Sequence, residues 1–100
     1  MRLGTTPKHE FTLPFDTSVV SEIQITYAQG ERIVLQKKTK DCELNGSVVT
    51  VRLTQEETFL FDATKHVQIQ IRVLTAGGDA LASDIVRTSA QRCLDREVLA

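Results

Sequence analysis

The feature that most constrains this chain is an alternation of apolar and polar side chains with a period of two. Four runs carry it, at residues 11–15, 23–27, 49–53 and 67–73. A pleated strand sends successive side chains to opposite faces, so each run predicts a strand with one buried and one solvated face. β-Branched residues, which pack well on such surfaces, are frequent in these runs.

Turn residues separate the runs at intervals of roughly 8–12 residues. Gln29-Gly30 and Asn45-Gly46 predict hairpin connections, and the second pair is typical of a type I′ turn with positive φ at both residues. Residues 76–79 separate the 67–74 run from a last strand expected near 80–89. Pro14 cannot donate to a strand ladder, which indicates an edge strand or a bulge within the first run.

One segment has helical rather than strand character. Thr54 and Glu57 have the spacing of a capping box, in which each side chain bonds the other residue's backbone. A single helical turn near residues 54–58 is therefore predicted. The residues after Gln91 fit either a short helix or a frayed final strand.

Together these elements predict one domain over residues 1–100, an all-β, immunoglobulin-like antiparallel β-sandwich of about seven short strands. No amphipathic helix is long enough for the crossover that parallel strands need. The chain has no tryptophan and no Cys-Trp-Cys spacing, so an antibody-type domain is not expected.

Charge and hydropathy argue against nucleic-acid and membrane partners. The net charge is -1, and the basic cluster over residues 32–40 is followed at once by Asp41 and Glu43. We interpret that cluster as a solvated, lysine-protected edge. No apolar run approaches the ~20 residues that cross a bilayer, and no secretory signal is visible. Cys42 and Cys93 are expected to be free thiols in a reducing cytosol.

No residue set predicts an enzyme. His9, His66 and the two cysteines are too far apart in sequence for the short paired spacings of a zinc site. No Gly-x-Ser-x-Gly elbow is present, and Gly77-Gly78 lacks the lysine and helix of a phosphate loop. We therefore predict no catalytic residues, no metal and no cofactor.

Two stretches are candidate protein interfaces. Phe59-Leu60-Phe61 is apolar on both faces, so it is either a strand buried on two sides or a segment covered by another chain. The outward row Gln68, Gln70 and Arg72 is compatible with a partner surface or with a solvated face. A carbohydrate-binding module would need exposed aromatic side chains, and the chain has one tyrosine and no tryptophan.

Four sets of segments carry a family resemblance: residues 1–7 followed by 11–16, residues 53–58 with Phe61, residues 67–74 and residues 82–85. They resemble small proteins encoded in phages and prophages of gut Firmicutes, and the resemblance covers nearly the whole chain. The resemblance implies a virion-structural protein with a β-sandwich fold. It transfers no catalytic or binding residue onto this sequence.

The expected function is that of a non-enzymatic phage or prophage structural protein, such as a head-decoration, tail or baseplate component. It would be made in the bacterial cytoplasm, reside in the virion, and contact other virion proteins or copies of itself as a homo-oligomer. The alternative is a small phage-encoded inhibitor of a host enzyme or defence system that binds by edge-strand addition.

Overall fold

The computed structural model describes all 100 residues and contains eight strands, one short α-helix and two 3-10 turns. The strands are β1 (Lys8–Thr12), β2 (Val20–Gln29), β3 (Arg32–Lys38), β4 (Cys42–Asn45), β5 (Val48–Arg52), β6 (His66–Thr75), β7 (Ala80–Ala82) and β8 (Val86–Ser89). Helix α1 spans Gln55–Thr58, and the 3-10 turns span Thr17–Val19 and Thr39–Asp41.

The strands form two antiparallel sheets packed together, which confirms the predicted all-β sandwich. One sheet has the order β1-β5-β4, and the other has the order β3-β2-β6-β7 with β8 also paired to β6. The apolar residues of each alternating run face the other sheet and form one core cluster. That cluster comprises Leu3, Leu13, Ile23, Ile25, Tyr27, Val49, Val51, Leu53, Phe61, Val67, Ile69, Ile71, Val73 and Ala90.

The strand order is that of an immunoglobulin-like sandwich without its first strand. In that fold strands B, E and D share one sheet, and strands G, F and C share the other with C′ beside C. Here β1, β5 and β4 take the B, E and D positions, and β7 with β8, β6, β2 and β3 take G, F, C and C′. The residues before β1 add only an isolated parallel bridge between Arg2 and Gln91, so β1 is an outermost strand of its sheet.

Tyr27 is the largest fully buried side chain of the sandwich. It is fully buried on β2, the counterpart of the strand that carries the core tryptophan of antibody domains. Its ring meets Phe61 edge-on with the ring centroids 6.0 Å apart. Edge-to-face packing of two aromatic rings stabilises a core beyond the free energy gained by burial. The Tyr27–Phe61 pair therefore helps to stabilise a core that contains no tryptophan.

The first strand lies earlier than the alternation indicates. The run at 11–15 predicts a strand there, but β1 begins at Lys8 and ends at Thr12. Leu13 still donates its N–H to the Ser47 carbonyl at 2.8 Å. Pro14 follows at a position whose backbone faces away from β5, so its missing N–H breaks no bond of the ladder. β1 is an edge strand, as Pro14 indicates.

The hairpins are placed correctly, but the predicted turn type at Asn45-Gly46 is wrong. No residue other than glycine has positive φ, and Gly46 has a φ of 59°. Because Asn45 still pairs with Val48, the loop is Gly46-Ser47. Positive φ at the first loop residue alone is the pattern of a type II′ turn. Gly30, with a φ of 62°, begins the β2–β3 loop in the same way.

The helical turn is confirmed, and the last strand is divided. Thr54 caps α1 through the predicted reciprocal bonds with Glu57. The strand expected near 80–89 is two short strands, β7 and β8, which pair with successive halves of β6. The residues after Gln91 are neither helix nor strand. They lie against α1, where the Leu99 N–H donates to the Gln55 side chain at 2.9 Å.

Candidate functional site

The two candidate phenylalanines lie in a turn that follows α1, so the strand alternative for residues 59–61 is wrong. Phe61 is 3% exposed and belongs to the core. Phe59 is half-buried beneath the Arg96 guanidinium, which lies 4.7 Å from the ring centroid and also donates to the Phe59 carbonyl at 2.7 Å. Leu60, between them, is exposed. Leu60 is thus the most exposed apolar residue of this turn, and an interface role for Phe59 and Phe61 stays a prediction.

The row Gln68, Gln70 and Arg72 lies on the outer face of β6, in the middle of the larger sheet. Its side chains bond their neighbours on that face. The Gln70 amide donates to the Ser83 carbonyl at 2.9 Å, and the Arg72 guanidinium donates to the Gln24 side chain at 3.3 Å. The row therefore forms a flat polar surface, and its role as an interface stays a prediction.

Polar side chains meet between the sheets at the end nearest α1. The His9 Nδ1 and the Tyr27 hydroxyl oxygen are 2.7 Å apart, and the Lys37 Nζ lies 2.7 Å from the Glu57 carboxylate. Cys42 faces the same interior from β4, opposite Val51, and donates its thiol to the Lys38 carbonyl. Every buried side-chain nitrogen and oxygen of the structure is hydrogen-bonded. This cluster holds the two sheets and α1 together.

Burial sets the protonation of this cluster. It lowers the pKa of His9 and raises the pKa of Tyr27 and of the Cys42 thiol, so all three are favoured in their neutral forms. Burial alone would raise the pKa of Glu57, but hydrogen bonds from Lys37 and the Thr54 backbone outweigh it and lower that pKa. The cluster thus contains one charged pair among neutral polar groups.

The unpaired edge of β1 is a candidate recognition feature of the sandwich. β1 pairs only with β5, and it has no strand on its other side. The Pro7 carbonyl accepts from Leu53 and the Leu13 N–H donates to Ser47, so the odd-numbered residues carry the bonds to β5. In an antiparallel pair these bonds alternate along the strand. The backbone groups of the even-numbered residues Lys8, Glu10 and Thr12 therefore point away from the sheet.

An apolar groove runs behind this edge, between the two sheets. Its volume is about 510 Å³, within the range of pockets that take small ligands or peptide side chains. One wall comes from β1 and the residues after it, and the other from β6 and β7. The hydrophobic residues of the walls are Phe11, Leu13, Phe15, Ile71, Val73, Leu81 and Ala82. Glu10 is the only charged residue around it.

β7 forms the opposite rim of the groove, and it is also an outermost strand. Thr75 donates to the Asp79 carbonyl and Ser83 donates to the Ile71 carbonyl, so Asp79, Leu81 and Ser83 bond β6. The backbone groups of Ala80 and Ala82 then face outward. Both rims of the groove thus offer unpaired backbone donors and acceptors, which an extended peptide can satisfy.

Sequence reasoning misses this site, because the alternation marks Phe11, Leu13 and Ile71 only as core residues. Two signals point to it. Residues 1–7 carry no alternating run, and Pro14 indicates that β1 lies at an edge. What the sequence does not supply is the gap between the sheets at β7, where Leu81 lies opposite the buried Val73 but is 45% exposed.

The structure shows no convergent ligand set. No group of three or more His, Cys, Asp or Glu side chains is arranged to hold a metal ion. Cys42 and Cys93 are both unbonded to other sulfur atoms. The helices are short and polar, and none could span a bilayer. The sequence matches no protein-family model, and no curated protein or solved structure is significantly similar to it.

Proposed function

We propose that this chain is a non-enzymatic module of a phage or prophage particle and works through protein–protein contacts at its open edge. The observation that carries the proposal is the apolar groove between β1 and β7, with unpaired backbone on both rims. Backbone bonds supply affinity in strand addition, while pockets for alternate side chains supply specificity. This groove combines both features.

The composition of the groove favours binding over catalysis. Seven of the eleven residues around it are hydrophobic, and the single charged side chain has no ionisable neighbour within the groove. Catalytic sites need several ionisable or polar groups aimed at one reacting centre. An apolar cleft flanked by strand edges instead suits an extended segment of another protein. The phage setting comes from the resemblance of the segments described above.

Particle composition tests this proposal. Particles purified from the phage or induced prophage that encodes the chain should contain it, as measured by quantitative mass spectrometry. Leu81→Lys places a charge in the groove and should reduce incorporation at least tenfold. Ile85→Lys is the matched control, because Ile85 is 56% exposed but lies outside the groove. Absence of the unmodified chain from the particles overturns the virion assignment.

The same open edge favours a second candidate function, a small inhibitor that adds its edge strand to a host enzyme. This candidate predicts a 1:1 complex with one enzyme whose activity falls when the chain is added. Leu81→Lys should then relieve the inhibition, and the chain should be missing from purified particles. Presence in particles at a fixed copy number, with no loss of host enzyme activity, contradicts this candidate.

A further inference from the structure

We propose that β1 pairs antiparallel with β1 of a second copy, in the register that places Lys8 of one copy opposite Glu10 of the other. The inference rests on the proposed function and deepens it, because it names the first partner of the open edge. The pairing would join two three-stranded sheets into one continuous six-stranded sheet across a two-fold axis.

The hydrogen-bonding groups for this pairing are already in place. The outward N–H and C=O groups of Lys8, Glu10 and Thr12 have no partner in the chain. An antiparallel neighbour that uses them must align even-numbered residues with even-numbered residues. The side chains of Lys8, Glu10 and Thr12 are exposed on the outer face of the sheet, so no side chain has to be buried or moved.

The charges on that outer face form two rows across the strands. Lys8 lies opposite Arg52, which makes one row positive. Glu10 lies opposite Thr50, which in turn lies opposite Glu43, so the next row is negative. The rows are adjacent along β1, and each ends at the free edge. A second copy therefore meets a positive row and a negative row side by side.

Only one of the central two-fold registers matches these rows. A register centred on Glu10 places Glu10 opposite Glu10 of the second copy. A register centred on Lys8 places Lys8 opposite Lys8 of the second copy. A register centred on His9 instead places Lys8 opposite Glu10 of the second copy, and Glu10 opposite Lys8 of the second copy. Directly opposite charges of unlike sign stabilise a strand pair, and like charges destabilise it. The charge pattern thus selects the register centred on His9.

This register also extends the pairing past β1. Thr12 of one copy then lies opposite Thr6 of the other, and both residues are exposed and polar. The Thr5–Pro7 segment of the second copy runs beside the Phe11–Leu13 rim of the groove. Because the same surface is used by both copies, the contact is closed and stops at two chains.

Charge reversal tests the register directly. Sedimentation velocity over a concentration series should show a monomer–dimer equilibrium for the unmodified chain. Lys8→Glu alone and Glu10→Lys alone each create two like-charge contacts per dimer, and each should weaken association by about 30-fold. The two variants mixed in equal amounts restore unlike charges at both contacts and should associate about as tightly as the unmodified chain.

Matched controls make the same charge changes elsewhere. Lys40→Glu and Glu22→Lys alter exposed residues away from β1. Each should dimerise as tightly as the unmodified chain, and mixing the two should not change the strength of association. Urea unfolding midpoints of all variants establish that they are folded, since exposed substitutions shift stability little.

Three outcomes overturn the inference. In the first, the unmodified chain stays monomeric up to about 1 mM, which corresponds to a very weak affinity. In the second, Lys8→Glu and Glu10→Lys each dimerise as tightly as the unmodified chain. In the third, the equal mixture of these two variants remains monomeric. A chain found in particles but monomeric in solution overturns this inference alone. A chain that dimerises in the stated register but is missing from particles overturns the virion assignment alone.

Discussion

The Lys37 ammonium and the Glu57 carboxylate form the one ion pair of the structure, with Nζ 2.7 Å from the nearest oxygen. Lys37 comes from β3 of the larger sheet, and Glu57 comes from α1, which follows the last strand of the smaller sheet. The same carboxylate accepts the Thr54 N–H at 2.8 Å and so completes the capping box. One side chain thus caps a helix and connects the two layers.

We expect Glu57→Gln to lower the free energy of unfolding by about 1–2 kcal/mol, because it leaves Lys37 without a counter-charge. Glutamine can still close the capping box, so the cap is kept. Glu57→Ala should cost roughly 1 kcal/mol more, because it also removes the cap bond. Urea unfolding at pH 7 measures both differences. Equal losses for the two variants would show that the cap contributes nothing beyond the charge.

The Glu57 pair also predicts how stability changes in acid. The folded-state pKa of Glu57 lies below its ordinary value of 4.5, so the unfolded chain binds this proton more readily. The stabilisation is therefore complete above the ordinary pKa and is lost as pH falls through the folded value. The difference in urea midpoint between the unmodified chain and Glu57→Gln should shrink between pH 6 and about pH 3, a window set by this pKa. A constant difference argues against the pair.

His9 predicts a second loss of stability at milder acidity. Its pKa is lowered from 6.5 by burial, so protonation favours the unfolded chain as pH falls below about that value. His9→Gln should flatten the decline in urea midpoint between pH 7.5 and 5.5, a window around the ordinary histidine pKa. His66→Gln is the control, since His66 is exposed at the start of β6. If the two variants decline alike, His9 is not the group that titrates.

Thr58 fixes the N-terminal segment to α1. Its hydroxyl accepts the Gly4 N–H at 2.8 Å and donates to the Gln55 carbonyl at 2.7 Å, and the residue is fully buried. Thr58→Val keeps the shape but leaves the Gly4 N–H without its partner, so it should cost about 1–3 kcal/mol. Thr58→Ser retains the hydroxyl and should cost less than half as much. Thermal unfolding of the unmodified chain, Thr58→Val and Thr58→Ser measures their order of stability. If packing of the methyl group dominates, Thr58→Ser will be less stable than Thr58→Val.

Gly4 is the one glycine with positive φ whose added Cβ would meet other side chains. Its φ is 79°, and an added Cβ would lie 2.9 Å from the Phe59 ring and 3.2 Å from the Cys93 sulfur. Gly4→Ala should therefore lower the free energy of unfolding by about 2 kcal/mol, from backbone strain and crowding together. Gly77→Ala is the matched control, because its φ is not positive and the nearest atom to its Cβ is 3.9 Å away. Urea unfolding of both variants distinguishes strain at Gly4 from a general cost of replacing glycine.

The sequence predicts the sandwich because its strongest signals are local. The alternation of Ile23, Ile25 and Tyr27 determines which face of β2 is buried, and the Thr54–Glu57 box determines where α1 begins. Both signals act within a few residues, so no tertiary information is needed to read them. Pro14 likewise indicates an edge, although the strand it follows begins at Lys8.

The site is poorly predicted because it depends on what lies beside a strand rather than within it. Leu81 lies opposite the buried Val73, and the groove between the sheets at β7 leaves it exposed. Phe59 and Phe61 read as a strand because they are apolar, but α1 directs them into a turn where Arg96, from the far end of the chain, covers Phe59. Such long-range contacts leave no periodic trace in the sequence.

The break between β7 and β8 limits how this protein can aggregate. Residues 83–85 belong to neither strand, although Ser83 still donates its N–H to the Ile71 carbonyl. This side of the larger sheet therefore presents two strands of three and four residues in place of one long template. Short, interrupted edges are poor seeds for cross-β fibrils, which grow by repeated addition of long, flat strands. Concentrated solutions of the folded chain should accordingly resist fibrillation from this side.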